Sequence, residues 1–281
     1  MTSPWSDLDR PPLRGAALER ALVRPGGLWT SVRVVPETGS TNSDLVAAAV
    51  GGAPAGTVLV AEEQTAGRGR LERRWSAPAR SGIFLSLLLR PEVPKERWGW
   101  LPLLVGVSAA SALGQAGAAE VRLKWPNDLL VAVDGEERKL GGILAELAGD
   151  AVVVGLGLNV SLRAEELPVP GAGSLLLAGS AVTDRETLLR AVLRTFEELY
   201  QEWVAAEGDP EVSGLRAAYE LQCATLGREV RVELPGGREL TGEAVGVDGD
   251  GRLVVRDGGG PTTAVGAGDV VHVRGRSEDT F

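Results

Sequence analysis

From Ser31 onward, the chain alternates compact apolar runs with short polar turns. Two continuous runs, TVLVAE at 57–62 and IFLSLLLR at 83–90, have the length and apolar content of buried strands. The segment LPLLVGVSAASALG at 101–114 is long enough, and rich enough in small residues, for a buried helix. The pattern VRLKWPNDLLVA at 121–132 predicts two strands that meet at a turn fixed by Pro126–Asn127–Asp128.

Two more apolar runs, KLGGILAEL at 139–147 and AVVVGLGLNV at 151–160, predict strands joined by a hairpin around 148–150. A helix is expected after the capping box Thr183-x-x-Glu186, because apolar residues then recur at intervals of three and four to about Ala206. This apolar stripe indicates core packing rather than a cofactor site. A shorter helix is expected at 211–221.

The pattern changes after Gly227, where short alternating segments are separated by turns at 235–237 and 249–251. Small antiparallel strands of this number and length favour a compact barrel of SH3-like size. The expected organisation is an N-terminal extension at 1–30 with one short helix at most, a main domain at 31–225, a C-terminal β domain at 226–275 and a tail at 276–281.

Composition narrows the class of protein. The 281 residues carry a formal charge of -9 with a pI near 4.9, which disfavours non-specific binding to nucleic acid. The first forty residues show no helix-turn-helix pattern, so a repressor role is disfavoured too. No apolar run is long enough for a membrane span, and no signal pattern precedes the first domain, so we expect a cytoplasmic protein without a membrane partner.

Rare residues exclude several chemistries. Cys223 is the single cysteine, so neither an internal disulfide nor a cysteine-based zinc site is expected. His272 is the single histidine, which argues against a histidine-dependent triad or a multi-histidine metal site. The chain has three lysines, Lys95, Lys124 and Lys139, against a large excess of arginine. A retained lysine can indicate that a compact ammonium group is needed.

Three short motifs combine features of anion and ligand binding. In GRGR at 67–70, glycine amides and paired guanidinium groups suit a carboxylate or phosphate, although a solvated loop would have the same composition. Lys124 ends an apolar strand, where it faces an anion at low dielectric or reaches solvent along its stem. In GSTN at 39–42, Thr41 or Asn42 caps a helix that begins near Asp44, a position that also suits a polar ligand.

The order of five motifs is more specific than any one of them. GSTN, EEQTAGRGR-x4-W, LKWPND, KLGGILAE and GLGLNV follow one another between 38 and 160, and the small β domain comes after them. In this arrangement the chain resembles the biotin–protein ligases, in the form without an N-terminal DNA-binding domain. One departure is Glu72, which stands where the family often has a glycine and could pair with Arg73 or Arg74.

The resemblance implies an α+β fold: a class II synthetase-like, mixed and largely antiparallel sheet with helices on one face, followed by an SH3-like β-barrel. It implies ATP and biotin as substrates, with a divalent metal, Mg²⁺, and biotinyl-5′-AMP as the intermediate. Biotin would then pass to a lysine of a biotin carboxyl carrier domain, with the enzyme acting as a monomer or homodimer. Biotin's carboxylate must attack an anionic phosphate, so cations rather than a histidine carry the chemistry.

The resemblance also assigns a set of site residues. Those assigned to biotin or biotinyl-AMP are Ser40, Thr41, Asn42, Gln64, Gly67, Arg68, Gly69, Arg70, Lys124, Gly142 and Asn159. Lys124 and Arg70 are expected to act in catalysis, Lys124 between the carboxylate and the α-phosphate and Arg70 in closing the loop over the phosphate. Asp128 is expected to fix the turn after Lys124 rather than to bind metal.

Two alternatives share part of this pattern. A lipoate–protein ligase would have the same fold and the same lysine, but the GRGR loop and the C-terminal β domain favour biotin. A regulator that binds biotinyl-AMP without transferring it is disfavoured by the missing DNA-binding pattern.

Overall fold

The computed structural model describes residues 9–234, 237–266 and 268–273, and its elements follow the apolar pattern of the chain. The helices are α1 (Gly15–Leu22), α2 (Thr41–Val50), α3 (Trp100–Gln115), α4 (Arg185–Ala205) and α5 (Leu215–Gln222). The strands of the main domain are β1 (Ser31–Val35), β2 (Thr57–Ala61), β3 (Gly82–Leu89), β4 (Val121–Lys124), β5 (Asp128–Val133), β6 (Glu136–Ala148) and β7 (Ala151–Asn159). Those of the C-terminal domain are β8 (Glu229–Leu234), β9 (Arg238–Val247), β10 (Leu253–Arg256), β11 (Thr262–Val265) and β12 (Asp269–His272).

The seven strands of the main domain form one sheet in the order β1-β2-β3-β7-β6-β5-β4. The pairing of β1 with β2 is parallel, and the other pairings in this sheet are antiparallel. The predicted α+β fold with a mixed, largely antiparallel sheet is therefore confirmed. Among the described residues, no helix is both long and apolar enough to cross a membrane.

The two faces of the sheet are covered unequally. Helices α1, α3, α4 and α5 pack on one face, around buried side chains such as Leu85, Val154 and Leu193. The expectation that the helices lie on one face is wrong for α2, which packs on the opposite face over β3, β6 and β7. Because α2 is only ten residues long, it leaves much of that face open for a cavity.

The segment before β1 is packed more firmly than the sequence predicted. Leu18 and Leu22 of α1, together with Trp29, are buried in the main core. Nearby, the buried pair Arg185–Glu62 has a 2.6 Å contact, and Glu62 also accepts a hydrogen bond from the Leu13 amide. Turns and prolines separate the few apolar residues of this segment, so no periodic pattern identified them as core residues. They gain packing partners only in the folded chain.

Two predicted helix caps differ from the observed ones by one or two residues. Ser40, not Thr41 or Asn42, is the N-cap of α2, and its hydroxyl accepts from the Ser43 amide at 3.4 Å. Asp184 caps α4 by accepting from the Thr187 amide at 2.7 Å, which replaces the capping box predicted from Thr183. In both places several neighbouring side chains can accept hydrogen bonds. The side chains that make tertiary contacts are not available, and the remaining one forms the cap.

The C-terminal domain is a five-stranded antiparallel sheet in the order β11-β10-β9-β8-β12. Its β9–β10 turn docks on the main domain, where the indole N–H groups of Trp100 and Trp125 donate to the carbonyl oxygens of Gly249 and Gly251 at 2.9 and 3.1 Å. Gly251 has φ +80° and lies so close to Gly99 that a Cβ atom would be 2.9 Å from its carbonyl carbon. This contact places one end of the small domain beside Lys124.

Three sequence expectations lie outside what the structure describes: the tail at 276–281, the first two residues of the turn at 235–237 and the pairing of Glu72 with Arg73 or Arg74.

Candidate active site

A cavity of about 460 Å³ opens on the α2 face of the main sheet. Ten of the eleven predicted site residues line it: Ser40, Thr41, Asn42, Gln64, Arg68, Gly69, Arg70, Lys124, Gly142 and Asn159. The eleventh, Gly67, begins the arginine-rich loop (residues 67–74), and a Cβ atom there would be 2.6 Å from the carbonyl oxygen of Trp75. Motifs that are far apart in the sequence thus meet around one space.

Glycines form the floor of this cavity. A Cβ atom at Gly155 would lie 2.2 Å from Asn42 Oδ1, and one at Gly157 would lie 2.7 Å from the Trp75 ring. At Gly142 the nearest atom would also be in the Trp75 ring, at 3.4 Å. The backbone of β7 is therefore approached closely by side chains at Gly155 and Gly157, where a Cβ atom would clash, whereas at Gly142 of β6 it would be in ordinary contact.

Trp75 lines the cavity although it was not among the predicted site residues. Its indole N–H is buried and has no hydrogen-bond partner in the described part of the chain. A buried donor without a partner is costly, and a ligand can supply the missing acceptor. The spacing GRGR-x4-W contained the signal, because a tryptophan in an otherwise polar loop needs an apolar surface to cover.

The start of α2 presents polar groups to one end of the cavity. Gln64 Oε1 accepts from the Thr41 amide at 2.9 Å and lies 3.1 Å from the Thr41 hydroxyl. Ser40, Thr41 and Asn42 are all buried although they are polar. Their fixed positions suit recognition of a small ligand with both donors and acceptors.

Lys124 ends β4, where its half-buried side chain lines the cavity. The turn that follows is fixed by Asn127, whose backbone N–H donates to the Lys124 carbonyl oxygen at 3.1 Å and whose side-chain Nδ2 donates to the Ile143 carbonyl oxygen at 3.0 Å. Asp128, which was expected to fix this turn, pairs with Lys124 across it in the β4–β5 ladder, while its carboxylate is held by Lys139 of the neighbouring strand at 2.5 Å. Both lysines therefore lie at the cavity, but Asp128 neutralises one of them.

Guanidinium groups of the arginine-rich loop contact both domains. Arg70 donates to Asn127 Oδ1 and to the Gly268 carbonyl oxygen, both at 3.2 Å, and lies 3.9 Å from Asp269. Arg73 forms an ion pair with Asp269 as well. Burial lowers the pKa of Arg70, while the negative charge of Asp269 opposes the shift. The C-terminal domain thus holds the loop against the cavity.

At the Lys124 end of the cavity, hydrogen bonds through Thr225 connect the Trp125 amide with His272, the single histidine. Thr225 Oγ1 accepts from the Trp125 amide at 3.1 Å and lies 3.1 Å from His272 Nε2. Arg228 contacts His272 Nδ1 at 3.1 Å. A guanidinium group only donates, so Nδ1 must accept and His272 is neutral, with its proton on Nε2. Burial, followed by the charges of Lys124 and Arg228, lowers the pKa of His272 to about 4.

The lowered pKa of His272 predicts that the stability of the protein depends on pH. Between pH 6.5 and about 4, the unfolded chain binds a proton at His272 that the folded protein excludes, so the free energy of unfolding falls as the pH is lowered. The substitution His272→Gln removes this term. Thermal unfolding midpoints measured from pH 7 to pH 4.5 should therefore fall more steeply for the wild type than for the variant. Parallel curves would show that His272 is protonated in the folded state as in the unfolded one.

Carboxylates near the cavity are paired with basic groups. No cluster of three His, Cys, Asp or Glu side chains that could hold a metal occurs among the described residues. Asp128 and Asp269, which line the cavity, are each in an ion pair. Basic side chains therefore already neutralise these two carboxylates.

Comparisons with known proteins agree with the geometry. Residues 33–159 match the Biotin/lipoate A/B protein ligase family, and residues 225–273 match the Biotin protein ligase C terminal domain. The biotin–[acetyl-CoA-carboxylase] ligase of Mycobacterium tuberculosis is 46% identical over 94% of this chain and 97% of its own length. The bifunctional ligase/repressor BirA of Escherichia coli is 36% identical over 82% of this chain and 70% of its own.

A solved structure is similar over most of its length. The biotin protein ligase from Aquifex aeolicus in complex with biotin and ATP matches with a TM-score of 0.70 and 30% identity, covering 86% of this chain and 98% of that one. Together with the cavity lined by the expected motifs, these similarities show that the chain belongs to the biotin protein ligase family.

Proposed function

We propose that the protein joins biotin to ATP, forming biotinyl-5′-AMP and pyrophosphate, and then transfers biotin to a lysine of a biotin carboxyl carrier domain. The observation that carries the proposal is the convergence of Arg68, Arg70 and Lys124 on one cavity whose floor is backbone. A biotin-dependent carboxylase such as acetyl-CoA carboxylase would supply the carrier domain, and ATP dependence fits a cytoplasmic location.

The first step joins two anions, and electrostatics dominates it. A carboxylate oxygen of biotin attacks the α-phosphorus of ATP, a new P–O bond forms, and the bond to the β-phosphate breaks as pyrophosphate leaves. Lys124, half-buried at the end of β4, would stabilise the charge that develops on the pentacoordinate phosphorus. Its rigid turn supports this role, because a fixed charge needs no reorganisation during the reaction.

The second step is an acyl transfer. The ε-amine of the carrier lysine attacks the acyl carbon of biotinyl-5′-AMP, AMP leaves, and the amine loses its proton. Until the carrier arrives, the mixed anhydride must be kept from water. Arg70, held by Asn127 and the C-terminal domain, would keep the loop closed over the phosphate.

The remaining side chains would recognise the ligands. We propose that Ser40, Thr41 and Gln64, at the start of α2, bind the ureido ring of biotin, with Asn42 completing that end of the pocket. Gly142 lets the ligand approach the backbone of β6. Asn159 would lie near the nucleotide, where its amide already donates to the Gly173 carbonyl oxygen at 2.9 Å and so orders the adjacent loop.

Mass spectrometry of a carrier domain provides the test. Incubation of the protein with ATP, magnesium, biotin and the carrier should add one biotin to a single lysine of the carrier. Omission of ATP should leave the carrier unmodified, and a carrier whose target lysine is replaced by arginine should stay unmodified too. An unmodified wild-type carrier would contradict the proposal.

Lipoate is the competing substrate, because the matched family includes lipoate ligases. The match of residues 225–273 to the C-terminal domain of biotin protein ligases favours biotin. A thermal-shift comparison should show a rise in the unfolding temperature with biotin and none with lipoate. A regulator that lacks transfer activity would bind biotin in this assay but leave the carrier unmodified.

A further inference from the structure

Glu146 connects the arginine-rich loop with the start of α2. One of its carboxylate oxygens, Oε1, lies 2.9 Å from Arg68 Nη2, and the other, Oε2, accepts from Asn42 Nδ2 at 3.0 Å. Arg68 is additionally held by the Ser43 hydroxyl of α2 at 3.3 Å. One carboxylate therefore bridges a loop cation and a buried amide that line the same cavity.

Beyond Asn42 the hydrogen bonds continue to the polar end of the cavity. Asn42 Oδ1 lies 2.5 Å from the Ser86 hydroxyl, and the Ser86 oxygen lies 2.8 Å from the Thr41 hydroxyl. A carbonyl oxygen only accepts, so Ser86 donates to Asn42 and its oxygen is left to accept. The Thr41 hydroxyl can then donate within the network and offer its oxygen to an N–H group of a ligand.

Glu146 determines which atoms of this hydrogen-bonded network donate and which accept. Asn42 Nδ2 has two hydrogens, and they go to Glu146 and to the Leu144 carbonyl oxygen at 3.0 Å. With both hydrogens accepted there, Asn42 cannot rotate its amide by 180° without facing acceptors with its oxygen. A glutamine at position 146 would present its NH₂ donor to either Arg68 or Asn42, which are themselves donors.

The carboxylate is placed for an indirect role. Glu146 lies on β6, on the same face as Gly142 and Leu144, but it is not among the residues that line the cavity. Its side chain is 22% exposed, so its pairing with Arg68 is only partly screened by solvent. It therefore acts on a ligand through Arg68 and Asn42 rather than by contact.

We propose that Glu146 is a positioning residue that couples closure of the arginine-rich loop to the biotin-binding end of the cavity. Its two oxygens hold Arg68 over the ligand and orient the Asn42–Ser86–Thr41 chain beneath it, so both are ordered together. This inference rests on the proposed function. It gives a role to Glu146, a residue of the KLGGILAE motif to which the proposed reaction assigns none.

The test uses Glu146→Gln, with Glu136→Gln as the matched control on the same strand. Glu136 makes an exposed ion pair with Arg138, 3.2 Å long, away from the cavity. We expect Glu146→Gln to raise the dissociation constant of biotin and the rate of adenylate escape about tenfold, while the rate of adenylation at saturating biotin stays within about twofold of the wild type. The control should match the wild type in all three measurements.

A double-mutant cycle with Arg68→Gln separates coupling from general destabilisation. If Glu146 acts through Arg68, then Glu146→Gln adds little to the adenylate escape of Arg68→Gln. Equal additive effects, or unchanged escape in the single variant, would overturn the inference. Should Glu146→Gln fail to fold, Glu146→Asp keeps the charge and shortens its reach, and escape between those of the wild type and Arg68→Gln is expected; wild-type escape would overturn the inference.

The outcome is distinguishable from failure of the proposed function. If the wild type forms no biotinyl-5′-AMP, the function itself is wrong. If the wild type forms and retains the adenylate and Glu146→Gln retains it equally well, only the role of Glu146 is wrong.

Discussion

Replacing Lys124 with alanine is expected to lower the rate of adenylate formation by about 10²–10³-fold, because the cation that offsets the developing charge is lost from a partly desolvated site. Lys124 is half-buried and its turn is fixed by Asn127, so water that enters the vacated space is less well oriented than the ammonium group. Single-turnover release of pyrophosphate from ATP at saturating biotin measures the effect directly.

Lys95→Ala is the matched control for this substitution. Lys95 is exposed and lies 5.5 Å from the centre of the Trp98 ring, away from the cavity. We expect it to leave pyrophosphate release unchanged. Lys124→Arg should recover little activity, since a planar guanidinium group does not reproduce a compact ammonium charge. Wild-type rates in Lys124→Ala would remove this lysine from the mechanism.

Arg70→Gly should raise the escape of biotinyl-5′-AMP about 10- to 100-fold, since hydrogen bonds that involve a charged group contribute about 1.5–3 kcal/mol. The substitution removes the contacts with Asn127 and the Gly268 carbonyl oxygen that join the loop to the main and C-terminal domains. Escaped adenylate acylates nearby amines, so the measurement is biotin incorporation into lysines of a bystander protein, compared with incorporation into the carrier.

Leu71→Gly controls for the flexibility that a glycine introduces into the same loop. Leu71 is 69% exposed and has φ +53°, a conformation that glycine adopts without strain. We expect bystander labelling close to that of the wild type. If Leu71→Gly labels bystanders as strongly as Arg70→Gly does, loop stiffness rather than the guanidinium group retains the adenylate.

Strands β2, β3 and β7 could be predicted from sequence because each is a short apolar run bounded by turn residues. Where local signals competed, the predicted position was wrong by one or two residues, as at the caps Ser40 and Asp184. The firm packing of α1 was not predicted, because Leu18 and Leu22 have meaning only beside the core that covers them. Local patterns thus predict which segments are elements, and tertiary contacts decide their ends and partners.

The same difference between local patterns and tertiary contacts applies to the cavity. Its motif residues could be named because glycines and basic groups recur in a known order. Asp269 could not be named, since its approach to Arg70 depends on how the C-terminal domain docks, which no spacing in the chain reports. The contact of Asp128 with Lys139 could not be predicted either, because Lys139 is eleven positions away in sequence and comes close only through the pairing of β5 with β6.

The glycine floor limits how the ligand preference of this protein can change. Side chains elsewhere in the cavity can be shortened to admit a larger ligand or exchanged to reverse a hydrogen bond. At Gly155 and Gly157 there is nothing to shorten, and every replacement adds atoms to a space already occupied by Asn42 or Trp75. Selection for a bulkier ligand would therefore have to act on the roof of the cavity, in the loop and the start of α2, while the floor stays as it is.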